Sequence, residues 1–242
     1  MGLIVQKFGG TSVADRICLN NVANIIARRV REGNSVITVV SAQGDTTDQL
    51  LAKAKEITDT PDPRELDALL STGEQSSSAL LAIALNHIGI PAISLNASQA
   101  AILCDDQYGN GNIKMISEYK IRQYLDRGVT VVVAGFQGIN RAGDIVTLGR
   151  GGSDTTAVAI AAALHADSCR IYKDVDGIYT HDPRKNPAAK KLEHISYDDM
   201  LNLCDQGSEV LQRRSVELAA EHHIELQILS SFQLTGGTII SD

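Results

Sequence analysis

The chain has 242 residues, 43% of them apolar, which is enough for a substantial buried core and excludes a disordered tail or fibre. Lys and Arg total 22 against 29 Asp and Glu, a formal charge of −7, and the basic residues are dispersed, so a broad cationic surface for nucleic acid is not expected. The longest apolar runs, 129–136 and 157–164, fall well short of the roughly 20 residues that cross a bilayer. The opening Met1-Gly2-Leu3-Ile4-Val5-Gln6-Lys7 carries no charged-then-apolar leader, so no membrane contact is expected and the cytoplasm is the expected compartment.

Strand-like apolar runs fall at 3–8, 36–40, 92–95, 129–134, 169–172 and 225–229. Helical patterns fill most of the gaps. Over 14–31, Ile17, Val22, Ile25, Ile26 and Val30 recur near helical spacing, and 73–88 and 155–164 are rich in Ala and Leu. This alternation predicts an α/β fold, a three-layer αβα sandwich. The unbroken apolar run 129–133 suits a central parallel strand covered on both faces. The linker-like 58–63 is too short to separate domains, so residues 1–242 are expected to form a single domain.

Open α/β sheets bind ligands at the carboxyl ends of their strands, and four loops at such positions are polar and glycine-bearing. The first, Lys7-Phe8-Gly9-Gly10-Thr11-Ser12, offers backbone N–H groups at Gly9 and Gly10 and the charge of Lys7 to an anion, without the GxxxxGK[ST] of a P-loop. The second, 41–48, carries hydroxyls and carboxylates that would equally serve as helix caps. The third, Gly149-Arg150-Gly151-Gly152-Ser153-Asp154, follows a strand read at 145–148 and combines an arginine able to clamp a carboxylate, glycines that expose backbone donors, and an acid able to orient a proton or metal. The fourth, 174–184, contains Asp176-Gly177, which reads either as a turn or as a nucleotide loop with Tyr179 near a base and Arg184 near phosphates. Glu74 sits at a loop-to-helix junction, where a carboxylate commonly serves the helix dipole.

Cys18, Cys104, Cys169 and Cys204 are scattered with no CxxC pair, so all four are expected to be reduced, with Cys204 a small buried hydrophobe among Met200, Leu201 and Leu203. The six histidines form neither HxxxH nor HExxH; His222 and His223 read as a solvated helix end and His181 as a turn residue. No protein-built metal site is expected.

In order along the chain stand KFGGTSVAD, SAQGDTTD, LLSTGE, VVVAGFQGI, TLGRGGSDTTAVA, DVDGIYTHDPR and a closing SSF and GGTII. This succession resembles the aspartate kinases of the amino-acid kinase superfamily over essentially the whole chain. The resemblance implies an eight-stranded, mainly parallel central sheet between helices, and transfer of the ATP γ-phosphoryl group to the side-chain carboxylate of L-aspartate, a step in amino-acid biosynthesis. By position, Lys7 resembles the lysine that bridges phosphates and Asp154 the aspartate that organises the phosphate side, the two expected catalytic residues. Ser41, Thr47, Glu74, Phe136, Arg150 and Ser153 match the substrate pocket, with Arg150 on the substrate α-carboxylate and Glu74 on its ammonium group. Asp174, Tyr179 and Arg184 match ATP contacts. Mg²⁺ is expected to ride on the ATP phosphates and keep several waters, with few protein ligands. Phosphoryl transfer to an already ionised carboxylate needs positioning and charge neutralisation more than a general base.

Three features depart from the family pattern. Relatives continue into C-terminal ACT domains, whereas this sequence stops at Asp242, so feedback in cis is not expected unless a separate regulatory subunit supplies it. Gly207-Ser208-Glu209-Val210-Leu211 carries a carboxylate where the family has a phosphate-binding lysine. A like-charge contact at about 4 Å and an effective dielectric near 20 costs roughly 4 kcal/mol, enough to weaken ATP binding severely. Lys173 stands where Thr or Ser is usual, and is expected either to supply the missing charge or to pair with Glu209. Two alternatives stay open: another carboxylate acceptor, or a catalytically weakened nucleotide-binding or regulatory homologue. The superfamily habit implies a homodimer.

Overall fold

The computed structural model describes residues 2–181, 183, 186, 188–233 and 236–242. In chain order its strands are β1 (Leu3–Phe8), β2 (Ser35–Val40), β3 (Ala92–Leu95), β4 (Ile102–Cys104), β5 (Ile113–Ile116), β6 (Thr130–Ala134), β7 (Gln137–Ile139) and β8 (Ile145–Thr147). These are followed by β9 (Ser168–Lys173), β10 (Ile178–Tyr179), β11 (Lys191–Leu192), β12 (His194–Ile195), β13 (Leu226–Ser230) and β14 (Thr238–Ile240). The helices are α1 (Arg16–Arg31), α2 (Thr46–Ile57), α3 (Pro63–Leu70), α4 (Thr72–His87), α5 (Glu118–Leu125), α6 (Gly152–Leu164), α7 (Tyr197–Asp205) and α8 (Arg213–Glu221). A 3₁₀ turn, Gly10–Val13, links β1 to α1.

The main sheet has eight strands in the order β12-β14-β13-β9-β1-β2-β6-β3, parallel throughout except for β13 against β14. The expected eight-stranded, mainly parallel sandwich is therefore present. Strand alternation divides the core. Val5, Ile37, Val39, Val131 and Ile171 face α6, α7 and α8, and Phe8, Val36, Val40, Val132 and Tyr172 face α1 and α4. Phe8 stacks on Tyr172 with ring centroids 4.5 Å apart, locking β1 to β9 on the second face. A large side chain buried to the degree of Phe8, Ile37 or Ile160 contributes roughly 1.5–3 kcal/mol.

Local signals set the helix starts. Asp15 accepts from the Cys18 N–H at 2.8 Å, Asp62 accepts from Arg64 and Glu65 with Pro63 at the first helical position, and Ser196 accepts from the Asp199 N–H. α6 is buried almost all round, and Thr155 and Thr156 satisfy their hydroxyls on the carbonyls of Gly151 and Gly152.

A second sheet, β5-β4-β7-β8, is additional to the expected three layers. Asp67 ties it to α3: buried, its carboxylate accepts from the Gly109 and Thr147 amides, both at 2.8 Å, and from the Thr147 hydroxyl at 2.6 Å. The segment 58–63 joins α2 to α3. Cys204 departs from the buried reading: it is half-buried, with Sγ 3.4 Å from the Leu211 carbonyl. All four thiols are free, and burial pushes the Cys104 thiol up to about 12.

Candidate active site

The central strands β1, β2, β6 and β9 end on one side of the sheet, and the glycine-bearing loops gather there. Close approach explains two glycines. A Cβ on Gly10 would stand 2.7 Å from the Ala42 carbonyl oxygen, and one on Gly73 would stand 2.8 Å from the Ala42 Cβ. The first loop, the 41–48 loop and the start of α4 thus pack against one another with no room for side chains between them.

Lys7 lies on the α6 face of β1, and Asp154 sits in the first turn of α6 directly over it. Lys7 Nζ is 2.7 Å from Asp154 Oδ1, with side chains only 7% and 3% exposed. The ion pair is tight but off the angle of a hydrogen bond. Lys173, at the end of β9, donates to the other oxygen, Oδ2, at 2.9 Å. Asp154 is therefore bracketed by two ammonium groups. Burial alone would raise its carboxyl, but Lys7 and Lys173 together outweigh burial and hold it below the ordinary carboxylate range. Burial dominates at Lys7 and pushes its amine down; Lys173 adds to that effect while Asp154 opposes it.

Glu74, in the first turn of α4, is buried; its Oε1 accepts from the Ala42 N–H at 3.0 Å, and its Oε2 has no partner among the described residues. Burial pushes its carboxyl up to about 7, against the lowering effect of the Ala42 amide and the Lys7 charge. Glu74 thus ionises near pH 7 in the fold but near 4.5 in the unfolded chain, so its stabilising contribution is complete below 4.5 and lost as pH rises through 7. The unfolding free energy should fall by about 3 kcal/mol from this group between mildly acidic and mildly alkaline pH. Glu74→Gln, which keeps an acceptor for Ala42, should flatten that fall in urea titrations; an unchanged pH slope would contradict the assignment.

The remaining expected substrate residues are spread over the loops and helix starts at this end of the sheet. Phe136 adopts φ 68°, a left-handed conformation rare for a non-glycine residue; its N–H donates to the Thr156 hydroxyl at 3.2 Å and its carbonyl accepts from Leu148 at 2.9 Å. Ser153 is buried against Gly135, where a Cβ would meet its Oγ at 2.7 Å. Ser41 on the second loop and Thr47 in the first turn of α2 are half-buried, and Arg150 is exposed on the Gly149–Gly151 bend, whose glycines both have positive φ.

A cavity of about 990 Å³ opens beside Lys173, walled by Asp174, Gly177, Tyr179, Glu209 and Gln233 among others. Gly9 belongs to the adjoining loop: a Cβ there would lie 3.6 Å from Lys7 Nζ. The Tyr179 hydroxyl donates to Asp176 at 3.0 Å, and Lys191 pairs with the same carboxylate, so this tyrosine is fixed along the cavity wall. Arg184 lies outside the described residues. Glu209 is exposed at the cavity edge, but the expected Lys173–Glu209 pair is not formed, because Asp154, held in place by α6, takes the Lys173 ammonium.

Ser231 was missed in the sequence reading. Its amide donates to the Lys173 carbonyl at 3.1 Å, and its hydroxyl lies 2.8 Å from that of Ser12, so it fixes β9 to the first loop. The paired serines before Phe232 were its only sequence signal. Among the described residues no cluster of three His, Cys, Asp or Glu side chains is placed to hold a metal ion. No described helix is long and apolar enough to cross a membrane.

Several known proteins are similar to this chain. The aspartokinase of Geobacillus stearothermophilus is 50% identical over 242 residues, all of this chain and 60% of that protein. That of Bacillus sp. MGA3 is 52% identical, with 59% of its length matched. The chain thus spans about 60% of the length of these curated relatives. Among solved structures, aspartate kinase from Synechocystis superposes with a TM-score of 0.90 at 46% identity, covering 99% of this chain and 39% of that one. E. coli aspartokinase III in complex with aspartate and ADP also gives 0.90, at 27% identity, covering 99% of this chain and 64% of that one. The amino acid kinase family model matches residues 2–230, and with the eight-stranded sheet and its loops this places the chain in the amino acid kinase family.

Proposed function

We propose that this chain catalyses transfer of the γ-phosphoryl group of ATP to the side-chain carboxylate of L-aspartate, giving 4-phospho-L-aspartate. The observation that carries this reading is the Lys7–Asp154–Lys173 cluster, with the buried Glu74 carboxylate within reach of the Lys7 charge and the cavity beside Lys173. Relatives named aspartokinase at about half identity, and a structural neighbour solved with aspartate and ADP, support the choice of acceptor.

In this reading the unpartnered Oε2 of Glu74 receives the substrate ammonium group, and Arg150 closes on its α-carboxylate, with Ser41, Thr47, Phe136 and Ser153 shaping the pocket. The substrate's side-chain carboxylate is then directed at Lys7. An oxygen of that carboxylate forms the new bond to the γ-phosphorus while the bond to the β–γ bridging oxygen breaks, and ADP leaves with that electron pair. No proton need move at the nucleophile, which agrees with the absence of a histidine base from the cluster. Lys7 faces the charge on the transferring group, and Asp154 holds Lys7 in place. Asp174 and Tyr179 line the nucleotide side with the amides of Gly9 and Gly10.

The donor set suits a Mg²⁺ carried by the ATP phosphates, with Asp174, an exposed carboxylate in the cavity wall beside Lys173, the residue that would hold it; the ion would neutralise phosphate charge when bound. A cytoplasmic homodimer, with any effector site on another domain or subunit, belongs to the same reading.

Trapping the acyl phosphate with hydroxylamine, with ATP, Mg²⁺ and aspartate, glutamate or other carboxylate amino acids, tests the proposal. Turnover should be highest with aspartate. Because Glu74 must be ionised to hold an ammonium group, KM for aspartate should rise below about pH 7, and Glu74→Gln should raise KM and remove that limb. A second reading, nucleotide binding without turnover, is favoured by the Glu209 carboxylate in the cavity wall. It predicts thermal stabilisation by ATP with no hydroxamate from any acceptor.

A further inference from the structure

Lys7 and Lys173 stand on neighbouring parallel strands, with Lys7 opposite Ile171 in register. Ile171 faces α6 with Val5, and side chains alternate along a strand, so Lys173 lies on that same face, one pleat nearer the loops. Asp154 reaches both from above. One oxygen meets each ammonium group, leaving two cations around one anion.

That imbalance is informative. Lys7 alone neutralises Asp154 at contact distance, so Lys173 brings a second cation to a carboxylate already paired, and the two ammonium groups repel each other, with Asp174 and Glu74 the further acids whose charge Lys7 meets. The effect is felt inside the cluster, since the Lys173 charge helps to push the Lys7 amine down. The two lysines also differ in access. The Lys7 side chain is sealed at 7% exposed, whereas Lys173 is 18% exposed and forms part of the wall of the 990 Å³ cavity. Asp154 engages one of its three N–H donors, and the others are available on the cavity side.

We propose that Lys173 is the second phosphate cation of this site, shared with Lys7 through Asp154 before binding and donating to the terminal phosphate of the nucleotide once ATP enters the cavity. The proposal deepens the kinase reading, on which its catalytic half rests. It also explains how a carboxylate at Glu209 is tolerated on the same cavity wall: the cation is carried by the end of β9, behind the phosphates. Because Lys173 is fixed by Asp154 and its carbonyl by Ser231, it is positioned before the nucleotide arrives.

The test uses the whole chain with Lys173→Ser and Lys173→Arg, measuring MgATP and MgADP binding by calorimetry and turnover by hydroxamate formation. A cation on the terminal phosphate discriminates between the two nucleotides. Lys173→Ser should weaken MgATP at least about ten-fold while MgADP stays within about three-fold, and Lys173→Arg should recover most of the loss. Turnover of Lys173→Ser should fall about 100-fold. Unchanged MgATP affinity would overturn the proposal. So would equal weakening of both nucleotides with a lowered melting temperature, which would make Lys173 only a brace for Asp154. If wild type turns over no acceptor but the ATP-against-ADP difference persists, the phosphate role stands and the acceptor reading falls.

Discussion

Lys7→Met should lower aspartate turnover by roughly 10³-fold while leaving the protein folded, because one preorganised donor to a charge-developing centre is worth about that much. Methionine keeps most of the apolar stem that lies along β1 against α6. Asp154 is not orphaned by the change, since Lys173 still holds Oδ2 at 2.9 Å. The loss should therefore fall on turnover, with a melting temperature close to that of the parent. Hydroxamate formation beside thermal melting checks both halves. Turnover within ten-fold of wild type would remove Lys7 from the chemistry.

Asp154→Ala should have the opposite balance, with a large effect on the fold as well as on turnover. It leaves the buried Lys7 and the partly buried Lys173 without the carboxylate they share. Breaking a buried pair by deleting one partner typically destabilises by 3–5 kcal/mol, and about that loss is expected near neutral pH. The pH dependence is diagnostic. Burial already pushes the Lys7 amine down, and without Asp154 it falls further, whereas in the unfolded chain the amine keeps its proton to about 10.5. The unfolded state of the variant then binds more protons, so its stability should rise with pH and part of the deficit should be recovered by about pH 9. Urea unfolding at two pH values measures this; a deficit that does not change with pH would mean that Lys7 is not the orphaned charge.

Much of the fold was legible because the central strands are written in unbroken apolar residues. Thr130–Ala134, covered on both faces, and the all-round apolar α6 announce themselves by composition, and their observed limits lie within three residues of the expected ones. Of the second sheet only β8 was legible, as the strand read at 145–148 before the third loop. Its strands are three or four residues long and are held by Asp67 and by Gly138, whose close approach to Cys104 no periodicity reveals. At the site, the loops were visible as glycine and hydroxyl clusters, but their convergence was not. Spacing does not bring Lys7 onto Asp154; the resemblance to aspartate kinases put both on the phosphate side without pairing them. Lys173 shows the limit most clearly. Sequence offered the nucleotide phosphates or Glu209 for its charge and did not offer Asp154, which the pitch of β9 and the first turn of α6 place over the strand end while Glu209 sits on an exposed loop.

The hydroxyl contact between Ser12 and Ser231 spans 219 positions of chain. β1 also depends on β9 for one of its two neighbours, and β9 in turn pairs with β13. During synthesis, β1, β2 and β6 can associate long before β13 leaves the ribosome, so the first loop and the end of β9 acquire their final spacing only in a late step. Contacts of such long range slow folding. Nucleotide affinity should accordingly appear after most of the helical signal in a refolding experiment, and a nascent chain lacking β13 would present its lysines with no fixed distance between them.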